Sequence, residues 1–409
     1  MLRSNLDALP VAVIGGGPVG LAAAAHLLAR GLAVKLYEAG PAVGGNIRDW
    51  GHVRIFTPRR YCVDAAAGSL LASHGWQSPP ADVLPTGHEL VANHLEPLAA
   101  TPELRPVIET NARVTAISRQ GLDKVVSRER SAHPFVLRVN ASGHIRHDLA
   151  RAVIDASGTW STPNPLGASG LPAIGEAEFA ERIAYGIPDV LGRDRAIYAG
   201  RTTLVVGSGH SAGNAVLDLA RLATEAPGTA IVWATRSANL ARIYSGGDAD
   251  QLPARGELGS NMRQLAESGR VTLVTGFAVG VIREAGGRLM VDGETAGGPH
   301  GIGPIDRIIA ATGQRPDLAL TRELRLELDP WLESAKALGP LIDPNEHSCG
   351  SVPPHGHREL AHPEPGFYTV GIKSYGRAPT FLLLTGYEQV RSVAAAIAGD
   401  TEAADNVQL

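Results

Sequence analysis

Gly15, Gly17 and Gly20 follow a β-branched run, Val11 to Ile14, and lead into an Ala-rich stretch, Leu21 to Arg30, that stops at Gly31. Glycines at this spacing between a strand and a helix serve to hold a pyrophosphate. The first permits a tight turn, the second lets backbone approach the phosphates, and the third lets the helix lie close on the strand. Pro18 and Val19 complete the loop, and the helix that follows offers unpaired N–H groups and a positive dipole end that favour an anion. A second strand, Ala33 to Tyr37, then delivers Glu38, eighteen residues past Gly20. A carboxylate there can accept hydrogen bonds from an adenosine ribose.

The pattern occurs a second time. Thr202 to Val206 reads as a buried strand, followed by Gly207, Ser208, Gly209, His210, Ser211 and Ala212, with a helix expected from Asn214 to about Ala223. The next strand, Thr229 to Ala234, ends in Thr235-Arg236-Ser237 where the first unit has its acid. A carboxylate would repel a 2′-phosphate, whereas the guanidinium of Arg236 and the hydroxyl of Ser237 would bind one. The expected second ligand is therefore NADPH rather than NADH.

The elements that must position these loops are short parallel strands and their crossover helices, an α/β arrangement. The 409 residues suffice for two or three domains. The formal charge of −4 excludes a nucleic-acid binder driven by bulk positive charge. Only Lys35, Lys124, Lys336 and Lys373 are lysines, so the basic residues are nearly all arginine, a compositional bias rather than a polyanion site. Val11 to Ala29 approaches the length of a membrane span but is broken by Gly15, Gly16, Gly17 and Pro18. Met1 to Pro10 has no apolar run after its charge, so no signal peptide and no membrane association are expected. Cys62 and Cys349 build no disulfide framework, which points to a reducing cytoplasm.

Further landmarks resemble the two-dinucleotide-binding-domain flavoproteins. Gly44-Gly45-Asn46 continues past the acid as that superfamily does toward its flavin, and Arg113 to Ile117, with Val114, is similar to the strand whose backbone meets the adenine. Val153 to Thr159, with Ala156, Ser157 and Gly158, resembles the segment that ends the first FAD section. Asp306 to Asp317, with Thr312 and Gly313, resembles the "ATG-x-R-P" return to the FAD domain. Gly366 to Gly371, followed by a helix from about Thr385 to Ala398 that carries Tyr387, resembles the last flavin landmark. The resemblance implies FAD and NADPH as cofactors. It implies a Rossmann-like FAD domain, residues 1–165 and 306–409, split by an inserted Rossmann-like NADPH-binding domain at 166–305, with 47–98 covering flavin and substrate. Relatives usually carry Gly-Asp where this chain has Gly371-Ile372-Lys373, so that contact is missing or supplied elsewhere.

Flavin disulfide reductases need a cysteine pair, and neither cysteine here sits in a C-x-x-C. Tyr198 to Ala212 resembles the approach to the NADPH site of class B flavin monooxygenases, although the F-x-G-x-x-x-H fingerprint of that class is absent. That resemblance implies reduction by NADPH, reaction of the reduced flavin with O2 to a C4a-hydroperoxide, and oxygen transfer to an N, S or other soft nucleophilic atom of a small molecule. The alternative is an NAD(P)H-dependent reductase passing electrons to a redox partner or quinone. Lys373, Tyr375, Arg377 and Arg54 are the candidates near the flavin, with Arg59 a further phosphate or flavin contact. Tyr244 to Gly259 reads as a polar lid. His347 to His362 gathers four histidines with Cys349 but matches no zinc spacing, so no metal ligand is assigned. Monomer and homodimer both stay open.

Overall fold

Val11, Ala12, Val13 and Ile14 are all buried, as a strand covered on both faces requires. The computed structural model describes residues 6–241, 244, 253–347 and 352–408. The chain divides into two compact units. Met1–Gly51, Pro58–Thr162 and Arg315–Leu409 form the first, and His52–Thr57 with Pro163–Gln314 form the second.

In the first unit a five-stranded sheet runs in the order Phe367–Thr369, Ala152–Asp155, Val11–Ile14, Val34–Tyr37, Ile108–Glu109, and every pair is parallel. Helices Pro18–Ala29 and Leu383–Ala398 pack on each other. An antiparallel sheet of Ala112–Arg119, Phe135–Ala141 and His144–Ala150 is inserted before Ala152. Its inward side chains Ile117, Leu137 and Val139 share one core with Ala12, Ile14 and Phe367.

The second unit repeats the plan. Its parallel sheet runs Thr272–Thr275, Ala230–Thr235, Thr202–Val206, Arg307–Ala310, Ile183–Tyr185. A three-stranded antiparallel sheet, Ala278–Ala285, Arg288–Thr295 and Gly298–Ile305, again precedes the last central strand. The amphipathic helix His210–Glu225 buries Ala212, Ala215, Val216, Leu219 and Leu222 against Trp233 and Met262.

Two expectations shift. Arg307–Ala310, expected to open the returning segment at 306, is an interior strand of the second sheet, because buried Ile308 and Ile309 need a neighbour on each side. The second unit therefore extends to Gln314, and within the covering segment 47–98 the stretch His52–Thr57 also belongs to it. Among the described residues no helix is long and apolar enough to cross a membrane.

Candidate dinucleotide-binding sites

At the carboxyl end of Val11–Ile14 the chain turns through Gly15 at φ +103°, where a Cβ would lie 2.6 Å from the Ala156 carbonyl oxygen. A Cβ on Gly20 would run into the Gly15 carbonyl. The protein itself needs these two glycines. Gly17 differs: its Cβ would meet nothing within 4 Å, and its backbone is in the ordinary extended region. It caps helix Pro18–Ala29 without any side-chain hydrogen bond, so the helix end is left to a ligand or solvent. Glu38 braces the turn, accepting from Gly16 N–H at 2.8 Å and Gly40 N–H at 2.7 Å. A carboxylate has about four lone-pair positions, so capacity remains for a ribose. Gly44 N–H donates to the Gly16 carbonyl at 2.9 Å, which brings Gly44–Gly45 against the same loop.

Some of the segments expected to line a flavin meet beside this cradle. Gly158 lies between Asn46 Nδ2 and Ile372 Cγ2, each just under 4 Å from where its Cβ would stand. Asn46 is exposed, and so is Ile372 at 42%. A Cβ on Gly386 would lie 2.8 Å from Val19 Cγ2, which places the first turn of Leu383–Ala398 beside that of Pro18–Ala29. Two helix N-termini thus approach one place, a setting that favours negative charge.

Several predicted side chains have other work. Lys373 is 2% exposed, with Nζ 2.7 Å from Asp155 Oδ2 and 3.0 Å from Ser157 Oγ, so it is not presented to a substrate. Tyr375 is buried, its ring tilted against His355 and edge-on to Phe381. Tyr387 is buried and donates to the Cys62 carbonyl at 2.7 Å, and burial raises its phenol well above the usual value. Only its backbone could serve a ligand. Val114 points into the core, so only its backbone could meet an adenine. Arg377 is exposed. Arg59 is 3% exposed, with no hydrogen-bond partner for Nε or Nη1 among the described residues.

In the second unit Gly207 turns at φ +142°, where a Cβ would meet the Ala311 carbonyl. Gly209 caps helix His210–Glu225 with no side-chain bond and nothing within 4 Å of its Cβ position, the counterpart of Gly17. Ala212 is buried beneath the helix; Ser208 is exposed and Ser211 half-buried. The His210 ring packs against Phe56 at 5.0 Å, and Arg54 is exposed on the same short stretch. Arg236 is exposed and donates to the Ala168 carbonyl at 3.2 Å, while Ser237 Oγ donates to the Asn239 carbonyl. Thr312 and Gly313, expected beside the flavin, belong to this unit: Thr312 Oγ1 donates to the Asn164 carbonyl at 2.6 Å, and Asn164 N–H to the Gly313 carbonyl. They follow Arg307–Ala310, whose pairing carries them there.

The histidine-rich segment disperses. His347 bonds the Pro340 carbonyl; His355 is buried against Gln389; His357 faces Ser392; His362 stacks on Phe367. Cys349 lies outside the described residues, as do residues 245–252 of the expected lid. From Pro253 that segment is helical rather than a polar loop. Among the described residues no group of three His, Cys, Asp or Glu side chains could hold a metal. Cys62 is fully buried, and burial pushes its thiol up to about 11.

Sequence reasoning missed Asp155, Gln389 and the His26–Asp64 pair at 2.9 Å. Asp155 left a trace, an acid at a strand end in Val-Ile-Asp-Ala-Ser-Gly.

Residues 13–74 match the family described as an NAD(P)-binding Rossmann-like domain. The bacillithiol disulfide reductase of Bacillus cereus superposes with a TM-score of 0.71 at 17% identity, covering 96% of this chain and 99% of its own. The cadaverine monooxygenase DfoA of Erwinia amylovora, solved with FAD bound, gives 0.64 at 16% identity, covering 96% and 94%. The fold is that of the two-dinucleotide-binding oxidoreductases. Enzymes of opposite chemistry share this two-dinucleotide fold, so the fold alone does not select a reaction. Among curated relatives, monooxygenase cfoE of Aspergillus candidus is 28% identical over 234 residues, 54% of this chain and 35% of its own length. The curated matches span between 9% and 35% of those relatives.

Proposed function

We propose that this chain is an FAD-dependent oxidoreductase that oxidises NADPH and, with O2, oxygenates a nitrogen, sulfur or other soft nucleophilic atom of a small molecule. The carrying observation is the pair Gly17 and Gly209. Each caps a helix with no side-chain bond and leaves open the space a Cβ would fill, while Gly15, Gly20 and Gly207 are required by the protein's own packing. Two such cradles fit two pyrophosphates.

In the first unit the residues fit FAD. Gly17 and the Pro18–Ala29 N-terminus would take its pyrophosphate and Glu38 its adenosine ribose. Asn46, Gly158 and Ile372 would line the path onward. In the second, Gly209 and the His210–Glu225 N-terminus would take NADPH, with Arg236 released from Ala168 to the 2′-phosphate. FAD supplies hydride acceptance from the nicotinamide and electron transfer to O2. The protein binds, orients and excludes water.

Oxygenation is favoured over disulfide reduction by the state of Cys62. A redox cysteine is an accessible thiolate, whereas this thiol is buried and hard to ionise. Rapid mixing of anaerobically NADPH-reduced protein with O2, with NADP⁺ present, tests the reading. A transient near ~380 nm before oxidised flavin returns is expected. Direct reoxidation with peroxide release, together with fast reduction of a carrier protein or quinone, would instead identify an electron-passing reductase.

A further inference from the structure

Asp155 is the last residue of its strand, fully buried, at the carboxyl end of the first sheet where such folds bind their ligands. Among the described residues its charged partner is Lys373, which arrives from the far end of the sequence at 2.7 Å. Ser157 closes the group. Its hydroxyl donates to Asp155 Oδ1 at 2.7 Å, its N–H donates to the same oxygen at 3.1 Å, and it accepts from Lys373 at 3.0 Å.

The triad holds a loop that touches both arms of the proposed cradle. A Cβ on Gly15 would stand 2.9 Å from Ser157 Cα, so the loop is pressed on the phosphate turn. Gly158, one residue on, faces Asn46 and Ile372. Ile372 is the immediate neighbour of Lys373 and is exposed despite its size. A buried ion pair is weak evidence for stability, because well-packed apolar residues often do as well. Its presence here, beside the proposed path of the flavin, points to another role.

We propose that Lys373 and Asp155 are positioning residues that set both the seat and the reduction potential of the flavin, an inference that rests on the FAD reading above. Reduction by two electrons adds negative charge to the flavin. A fixed cation stabilises that state and a fixed anion opposes it, most strongly in a region sheltered from water. The pair nearly cancels, so each partner masks the other.

The test is a spectroscopic redox titration of purified FAD-loaded wild type, Asp155→Asn, Lys373→Gln, Lys373→Arg and Ser157→Ala. Asp155→Asn, which keeps shape and leaves the cation unopposed, should raise the midpoint potential. Lys373→Gln should lower it, Lys373→Arg should restore it, and Ser157→Ala should leave it close to wild type while loosening FAD about tenfold, roughly what loss of one charge-assisted hydrogen bond gives. If Lys373→Gln fails to fold, the sign for Asp155→Asn decides alone. Midpoints that coincide, or that move in the same direction for Asp155→Asn and Lys373→Gln, would overturn the inference and leave the FAD reading intact. A wild-type protein that neither carries nor takes up FAD would overturn both.

Discussion

His355 and Gln389 are locked together inside the first unit, with Gln389 Nε2 donating to His355 Nε2 at 3.0 Å. His355 must therefore be neutral with its proton on Nδ1, which donates to the Pro353 carbonyl at 3.0 Å. Gln389 in turn accepts from Gly371 N–H at 2.8 Å and donates to Ser374. Through one amide, a histidine from the 352–362 segment holds the end of the last strand, where Lys373 follows.

Acid should undo this. Burial lowers the His355 pKa, and burial takes His94 from 6.5 down to about 4. In the unfolded chain both take up a proton near pH 6.5, while the folded protein resists, so protons favour unfolding as pH falls. Stability is full above pH 6.5 and declines through the window down to about 4. The His94 share is on the order of 3 kcal/mol. Thermal melts at pH 7.5 and 4.5 should differ by many degrees, and the difference should shrink in His94→Leu. A melting temperature flat across that range contradicts the assignment.

The glycines separate structural from ligand demands. Gly20→Ala drives a methyl into the Gly15 carbonyl and should abolish soluble folded protein. Gly17→Ala meets open space and should cost about 1 kcal/mol or less in melting, as a change at a helix cap does. Yet it should weaken FAD at least about tenfold, because the phosphates lose close backbone approach. Circular dichroism and bound-flavin absorbance, measured on the same samples, check both halves. Gly209→Ala should do the same to NADPH and leave FAD content unchanged.

Both glycine cradles were readable from residue types because backbone demands leave a local trace. Gly15 at φ +103° and Gly207 at φ +142° admit little else, and the strands around them are runs of Val and Ile. The fates of Lys373, Tyr375 and Tyr387 were not readable. Lys373 finds Asp155 across 218 positions, and Tyr387 finds Cys62 across 325. Proximity to a motif suggested a ligand, but long-range packing decides which way a side chain turns. Thr312 and Gly313 went to the other unit for a related reason: the two sheets share a plan, and only pairing with Val206 tells which one takes Arg307–Ala310.

Arg236 offers a sharp kinetic difference. It is exposed, and among the described residues a single bond to the Ala168 carbonyl holds it, so it can turn to a phosphate at little cost. Arg236→Ala should raise KM for NADPH about tenfold or more, in line with a charge-assisted contact, and leave NADH nearly untouched. Steady-state oxidation of both coenzymes checks it. Equal losses would remove Arg236 from the 2′-phosphate role.

Cysteine chemistry supplies the last discrimination. Cys62 is fully buried, its Sγ lies 3.6 Å from the Pro58 carbonyl, and burial holds its thiol near 11. A thiol reagent should therefore modify it at a small fraction of the rate seen in denaturant, since the thiolate is the reactive form. Replacing both cysteines, Cys62→Ala with Cys349→Ala, should leave NADPH oxidation within about twofold, at a stability cost of roughly 1 kcal/mol for the small cavity. A disulfide reductase would lose reduction of its substrate altogether in that variant. Loss of flavin reoxidation by every acceptor tried, with flavin reduction intact, would return thiol chemistry to first place.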